Sequence, residues 1–285
     1  MPLTVTVIAP GMMGSAVGKR LSEHGVTVLT SLAGRSAATS TRAAASGMQD
    51  ASDAQIAASD FILSIVPPGE AMSLAERLAP ALRASASKPI YVDCNALNPG
   101  TVVRIAALVQ ETGARFVDGG IIGPPPEPDS SKTRLYLSGP DAEAVTVLAR
   151  HGLSTPVQPG PIGAASAMKM SYAGITKGFT ALGAAMMLAA TRAGTADALL
   201  AEMQVSQKAL LGWLTAQMPK MPSKAYRWVA EMEEISAFVG EDPAGAAFYQ
   251  AAARLYERIA ADLDGGRSEV DALETFCRRA GGGTA

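Results

Sequence analysis

The chain has little of what metal and thiol chemistry needs. Its 285 residues include two cysteines and two histidines. Cys94 and Cys277 lie far apart, and with His24 and His151 they form no metal-ligand spacing. No metal centre is expected, and both thiols read as buried or incidental groups of a reducing compartment. A charge excess is also missing: 24 Lys and Arg stand against 26 Asp and Glu, a formal net charge of -2. That balance gives no basic footprint for nucleic acid and no pull toward an acidic membrane. No basic stretch followed by a short apolar run opens the chain, so no secretory signal is expected and the reading is cytoplasmic. No internal repeat is present. Only 18% of residues are charged while 48% are hydrophobic, enough for a large core.

What is present changes character midway. Short apolar runs at Val5–Ile8, Val26–Leu29, Phe61–Val66, Ile90–Cys94 and Phe116–Val117 alternate with helical stretches near 12–23, 37–47, 70–84 and 100–112. This alternation predicts a Rossmann-type, doubly wound parallel sheet with its ligand at the carboxyl ends of the strands. Leu135–Ser138 reads as a further strand after the proline-rich Gly123–Pro128, and Val145–Gly152 as a helix. From Gly163 to Thr195 there is no proline, which predicts one helix of about 30 residues, near 45 Å at about 1.5 Å per residue. Its length raises a membrane span. Lys169, Lys177 and Arg192 interrupt it, however, so a helix buried between domains or subunits is the expectation. Lys177 reads as a snorkelling lysine that keeps this helix soluble. Further helices are predicted at 196–218, 223–239, 243–264 and 268–279, with a frayed tail at Gly281–Ala285. The expected division is residues 1–160 for a nucleotide-binding domain and 161–285 for an all-helical substrate-binding domain. Too few polar residues cover the long helix for a monomer, so a homodimer through the helical domain is expected.

The opening segment Thr4–Gly18 carries the strongest chemical signal. A β-rich run meets the turn Pro10-Gly11-Met12-Met13-Gly14 and opens directly into a helix. A dinucleotide pyrophosphate needs that order: a tight turn, a residue that lets backbone approach phosphate, and a helix N-terminus with free N–H groups. Gly14 would let the helix pack close to the sheet, while Ala9 stands where the first glycine of G-x-G-x-x-G belongs. After the second strand no acid stands between Glu23 and Asp50 to accept from ribose hydroxyls. Arg35, with the hydroxyls of Thr30, Ser31 and Ser36, suits a 2′-phosphate instead, so NADP(H) is expected over NAD(H). The other reading of Arg35 is a solvated loop arginine. Val66-Pro67-Pro68 and Asn95 follow two later strands. Each fits either a cofactor contact, with the Asn95 amide on ribose or nicotinamide, or a structural turn.

Three segments in order resemble the β-hydroxyacid dehydrogenase superfamily, which includes 6-phosphogluconate and 3-hydroxyisobutyrate dehydrogenases. Ile8-Ala9-Pro10-Gly11-Met12-Met13-Gly14 is similar to the family's G-L-G-x-M-G turn. Phe116-Val117-Asp118-Gly119-Gly120-Ile121-Ile122-Gly123-Pro124-Pro125 lies at the place of its D-A-P-V-S-G-G substrate segment. Gly163-Ala164-Ala165-Ser166-Ala167-Met168-Lys169-Met170-Ser171-Tyr172 resembles G-x-G-x-x-x-K-x-x-N. The closest resemblance is to a subgroup whose helical domain carries a pattern like Lys224–Met232. The resemblance implies that Lys169 is the catalytic lysine. The residues agree: Lys169 follows a Gly-Pro-rich hinge near a helix start, among small neighbours, where the neutral amine of a general base is favoured. Otherwise it is a second snorkelling lysine.

Two departures stand out. Tyr172 replaces the family's Asn and offers a hydroxyl as a second donor; Ile122 replaces its Ser, leaving backbone N–H groups of Gly120 and Gly123 for a substrate carboxylate. The Asp118–Pro126 segment also resembles that of imine reductases, which dock an apolar substrate. In the helical half, Arg227 fits either a carboxylate partner beside Tyr226 and Trp228 or an ordinary helix-start charge. The expected activity is therefore NADP-dependent hydride transfer on a 3-hydroxy acid or related hydroxy or oxo compound. An imine reductase-like enzyme and a non-catalytic NADPH-binding protein are the alternatives.

Overall fold

The computed structural model describes residues 3–128 and 132–281; the last four residues of the expected tail lie outside the described residues. The chain divides into two compact units, Met1–Met170 and Ser171–Ala285.

The first unit is built on strands β1 (Thr4–Ile8), β2 (Thr27–Thr30), β3 (Met48–Asp50), β4 (Phe61–Ser64), β5 (Ile90–Asp93), β6 (Arg115–Ile122) and β7 (Arg134–Ser138). They form one sheet in the order β3-β2-β1-β4-β5-β6-β7. All neighbours are parallel except β7, which runs antiparallel to β6. Helices α1 (Met12–Glu23), α2 (Ala37–Ala45), α3 (Asp53–Ala57), α4 (Ala71–Ala84), α5 (Pro99–Gln110) and α6 (Ala142–Val145) connect them. Alternate residues of each strand feed two separate cores. Val5, Val7, Val28, Leu63, Val92 and Val117 pack with Val17 and Leu21 of α1. Ile8, Ile62, Tyr91 and Phe116 pack with Leu74, Leu78 and Leu82 of α4 and with Ile105 and Val109 of α5. Burial on both faces explains why these strands read as continuous apolar runs. The strand order reverses between β1 and β4, which places a ligand crevice at their carboxyl ends.

Four elements differ from the sequence expectation. Strand β3 was invisible because only Met48 of its three residues is buried. Strand β6 runs on past Val117 to Ile122, so the expected substrate segment is largely a paired strand. The 145–152 helix is one short α-turn, Ala142–Val145, followed by a 3-10 segment, Thr146–His151. The stretch 196–218 is two helices, α8 (Ala196–Ser206) and α9 (Lys208–Gln217), because Gln207 leaves helical geometry at φ -136°.

Helix α7 (Ala164–Arg192) begins in the first unit and continues in the second. The second unit adds α8, α9, α10 (Pro222–Phe238), α11 (Pro243–Asp264) and α12 (Ser268–Ala280). Glycines on α7 bring α11 close: a Cβ at Gly174 would stand 2.9 Å from the Tyr249 hydroxyl oxygen. Trp228 of α10 meets Tyr256 of α11 edge-on, with centroids 5.1 Å apart. By length and composition α7 is apolar enough to cross a membrane. Ile175, Phe179, Leu182 and Met186 lie exposed along it at spacings of four, three and four residues. Met187, next in the chain, is buried while Met186 is exposed.

Candidate functional site

The glycine turn has the form that a pyrophosphate requires. Gly11 caps α1 with an ordinary φ of -71°, no side chain caps the helix, and no acid sits in its first turn. A Cβ added at Gly11 would meet nothing within 4 Å. The protein itself thus makes no demand for glycine there, and the open space suits close approach of a ligand to backbone. Gly14 is different: a Cβ there would stand 2.0 Å from the Ala9 carbonyl oxygen. It is glycine so that α1 can seat against β1, as expected. Ala9 fills the place of the first glycine while its oxygen accepts the Gly11 N–H at 2.8 Å and closes the turn. Pro10 is buried, Met13 half-buried and Met12 exposed.

Residues around β2 meet at the neighbouring edge of the crevice. Arg35 is exposed and approaches Glu70 at 3.9 Å. Ser36 caps α2 by accepting the Thr39 N–H. The Thr30 hydroxyl is buried without a hydrogen-bond partner, an orphaned polar group at the strand end. Sequence reading missed Arg42, whose guanidinium donates to the Pro10 carbonyl at 3.1 Å and so brings a cation to the glycine turn. Its signal was its place on α2, two helical turns beyond Arg35. These residues fit a dinucleotide: an open glycine turn, an uncapped helix start and two arginines.

Of the two readings of Asn95, its hydrogen bonds fit the structural turn. Its amide does not reach into the crevice. The side-chain oxygen accepts the Val66 N–H at 2.7 Å, and the amide nitrogen donates to Ser64 Oγ at 2.8 Å and to Asp93 Oδ2 at 3.0 Å. Asn95 thereby ties the ends of β4 and β5 together and occupies the Val66 N–H. Pro67, one residue on, is exposed and starts the short 3-10 turn Pro68–Glu70.

Lys169 lies on the first turns of α7, half-buried, and donates to the backbone oxygens of Asn95 at 3.0 Å and Cys94 at 3.3 Å. Two buried features place it there. Asp118 on β6 receives the start of α7: its carboxylate accepts from the N–H of Gly163 and of Ser166, from Ser166 Oγ at 2.6 Å and from Ser138 Oγ at 3.0 Å. An anion at a helix N-terminus is favourable, and four donors repay its burial. Gly120 then lets the helix touch the sheet, since a Cβ there would stand 2.9 Å from the Ala165 oxygen. Gly120 is thus a buried strand residue opposite Tyr136 rather than part of a loop. Ile122 ends the strand; Gly123, just beyond it, has φ +121°, and a Cβ there would collide with the Lys132 oxygen.

A second buried acid, Asp93, is the β5 register partner of Asp118. Its donors are the N–H and amide of Asn95. Burial, more than any other influence, pushes this carboxyl up to about 7; the Asn95 hydrogen bonds oppose it, Asp118 adds to it and the Lys169 ammonium opposes it. Sequence reading passed over both acids, although an Asp inside an apolar strand is a signal in itself. Burial, with the nearby Asp93 charge adding to it, drives the Cys94 thiol upward, and Cys277 is raised to about 11 chiefly by burial. Both therefore stay protonated and inert, as expected.

In the second unit, Tyr172 follows Lys169 by one helical turn and is exposed. Arg227 is exposed and lies over the ring of Tyr226 at 5.7 Å. Lys177 overturns its expected role. It is no solvated lysine: only 18% of its side chain is exposed, it forms an ion pair with Glu231, and it lies over the Trp228 ring at 5.3 Å. No group of three or more metal-ligating side chains occurs among the described residues.

Comparisons with known proteins agree with this architecture. Residues 4–150 match the NAD binding domain of 6-phosphogluconate dehydrogenase, and residues 190–259 match a domain of unknown function, DUF1932. An uncharacterized 28.5 kDa protein of Methanothermus fervidus is 30% identical over 142 residues. That alignment spans about half of each protein, 50% of this chain and 52% of the relative. A conserved protein of unknown function, whose structure is described as similar to 3-hydroxyacid dehydrogenases, is 28% identical. It superposes with a TM-score of 0.69 over 91% of this chain and 96% of its own. The Mycobacterium tuberculosis 3-hydroxyisobutyrate dehydrogenase with L-serine shares the fold at 16% identity and a TM-score of 0.66, over 92% and 95% of the two chains. A Streptomyces aurantiacus imine reductase shares it at 19% and 0.54, over 96% and 99%. With just over half of its length matched by one family, the chain belongs to the family of the 6-phosphogluconate dehydrogenase NAD-binding domain.

Proposed function

We propose that this protein is an NADP(H)-dependent oxidoreductase that moves a hydride between the cofactor and a 3-hydroxy acid or a related hydroxy or oxo compound. Lys169 is its acid–base group. The observation that carries this reading is the seat of Lys169: half-buried, with its amine on two backbone oxygens at the carboxyl end of β5. A neutral amine and an ammonium both have two N–H groups for those oxygens, so the proton can leave and return without loss of the anchor. The glycine turn with the start of α1 would hold the pyrophosphate, and Arg35 with Ser36 and Thr30 the 2′-phosphate end. The bound nicotinamide supplies the hydride acceptor or donor. Lys169 takes the substrate hydroxyl proton in oxidation and returns it to the oxygen in reduction. Tyr172 and Arg227 are the proposed further donor and the carboxylate partner, and the backbone N–H groups of Gly120 and Gly123 are proposed as further donors to a substrate carboxylate. The exposed seam Ile175, Phe179, Leu182 and Met186 has the spacing of a helix–helix contact. It supports a homodimer, which a monodisperse monomer at micromolar concentration would contradict.

The test is NADPH formation or consumption with a panel of 3-hydroxy acids, 3-keto acids, aldehydes and cyclic imines. Lysine-dependent turnover on a hydroxy or oxo acid supports the proposal. Turnover on cyclic imines alone would replace it with an imine reductase, and the apolar Ile122 would then be the reason. Tight NADPH binding with silence across the panel would make the protein a non-catalytic binder.

A further inference from the structure

The two buried acids beneath Lys169 are not equivalent. Asp118 has four donors from three residues and is consumed in capping α7. Asp93 is also fully buried, yet its two donors both come from Asn95. Asn95 is the residue whose backbone oxygen, with that of Cys94, holds the Lys169 amine. One side chain therefore grips Asp93 while the same residue's backbone grips Lys169. No role in capping or packing requires a carboxylate at position 93; a neutral residue of the same shape would avoid the cost of burying a charge.

We propose that Asp93 is a positioning residue for Lys169: its carboxylate clamps Asn95, fixes the two backbone oxygens that seat the amine, and by its charge favours the ammonium form. The importance of this for catalysis rests on the acid–base reading of Lys169 given above. The titratable groups that face Asp93 are Tyr91 and Cys94 on its own strand and the following residue, Asp118 on β6 and Lys169 on α7. Burial pushes the Tyr91 and Cys94 groups upward, so both remain neutral as Asp93 titrates. With its carboxyl raised to about 7, Asp93 is neutral below that pH and charged above it. The electrostatic part of the restraint on Lys169 therefore grows as the pH rises through the Asp93 transition.

The experiment needs no substrate. Wild type and Asp93→Asn are reductively methylated with formaldehyde and a borane between about pH 6 and about pH 9, since only the neutral amine reacts. Mass spectrometry then follows Lys169 and Lys177 separately. In wild type the Lys169 rate should rise with pH and bend near the Asp93 transition. In Asp93→Asn the bend should vanish, with labelling roughly tenfold faster at the alkaline end, the effect of about one unit of differential interaction. At the acid end the two proteins should converge, and Lys177 should label alike in both. Superimposable Lys169 curves, or a bend that persists without Asp93, would overturn the proposal. Should Asp93→Asn fail to fold, Lys177 labelling would rise as well. The wild-type curve then decides: a bend supports the proposal, and a curve without one rejects it. Coupling seen by labelling, together with turnover that ignores Lys169, would retire the acid–base reading and leave this one standing.

Discussion

Lys169 and Lys177 stand eight residues apart on one helix, and their surroundings differ. Lys169 rests on backbone oxygens of Cys94 and Asn95, dipoles that tolerate either protonation state. Lys177 faces the Glu231 carboxylate and the Trp228 ring, and both attract only the cation. Its own backbone oxygen accepts the Tyr256 hydroxyl at 2.6 Å, so the pair is wired into α10 and α11. The difference teaches that a half-buried lysine is assigned by its acceptors rather than by its exposure. A directly paired carboxylate with an indole face makes a lock, whereas carbonyls, with Asp93 acting only through its field and through Asn95, make a seat that fits the proposed proton exchange.

The largest expected effect is on Lys169→Ala. Turnover on the best substrate of the panel should fall by about 10²–10⁴-fold, the usual worth of a general acid–base group, while NADPH binding is kept. Next comes Gly120→Ala. The added methyl must push the first turn of α7 away from β6, and a displacement of about 1 Å should cost turnover about a hundredfold with only a small loss of melting temperature. Near wild-type turnover in Gly120→Ala would show that the Lys169 seat tolerates displacement. Lys177→Ala should behave in the reverse way. It leaves Glu231 without its cation in a largely buried place and should cost about 3 kcal/mol in denaturant unfolding, with turnover per folded molecule unchanged. Loss of turnover without loss of stability would erase the distinction between the two lysines. The smallest effect is that of Arg35→Ala, about tenfold weaker NADPH binding by titration with NADH binding unaffected. Unchanged NADPH affinity would remove the 2′-phosphate role.

Much of the fold was legible because the physics is local. Strands buried on both faces announce themselves as apolar runs, and Gly11 and Gly14 mark the turn into α1 whatever lies beyond. Where burial is thin, as in β3 with Met48 alone buried, the pattern carried no signal. The break at Gln207 was hidden since its flanks have equal helical character. At the site, the segments carrying Gly11, Asp118 and Lys169 were found. What each side chain does there was less accessible. Asn95 read equally as a ligand contact or a structural turn, because strand ends supply both; what its amide binds, Val66, Ser64 and Asp93, includes partners up to 31 residues away. Lys177 looked like a solvated charge since its partner, Glu231, lies 54 residues on. Pairings at such separation leave no periodic trace in the chain.

The most direct test of the central claim is chemical rescue of Lys169→Ala. Turnover of this variant is measured with added primary amines of graded size and basicity, beside Lys177→Ala under the same conditions. If Lys169 moves the substrate proton, small amines should restore part of the lost rate in Lys169→Ala, more so with rising basicity, and should leave Lys177→Ala unaffected. Near wild-type turnover of Lys169→Ala without any amine would contradict the account.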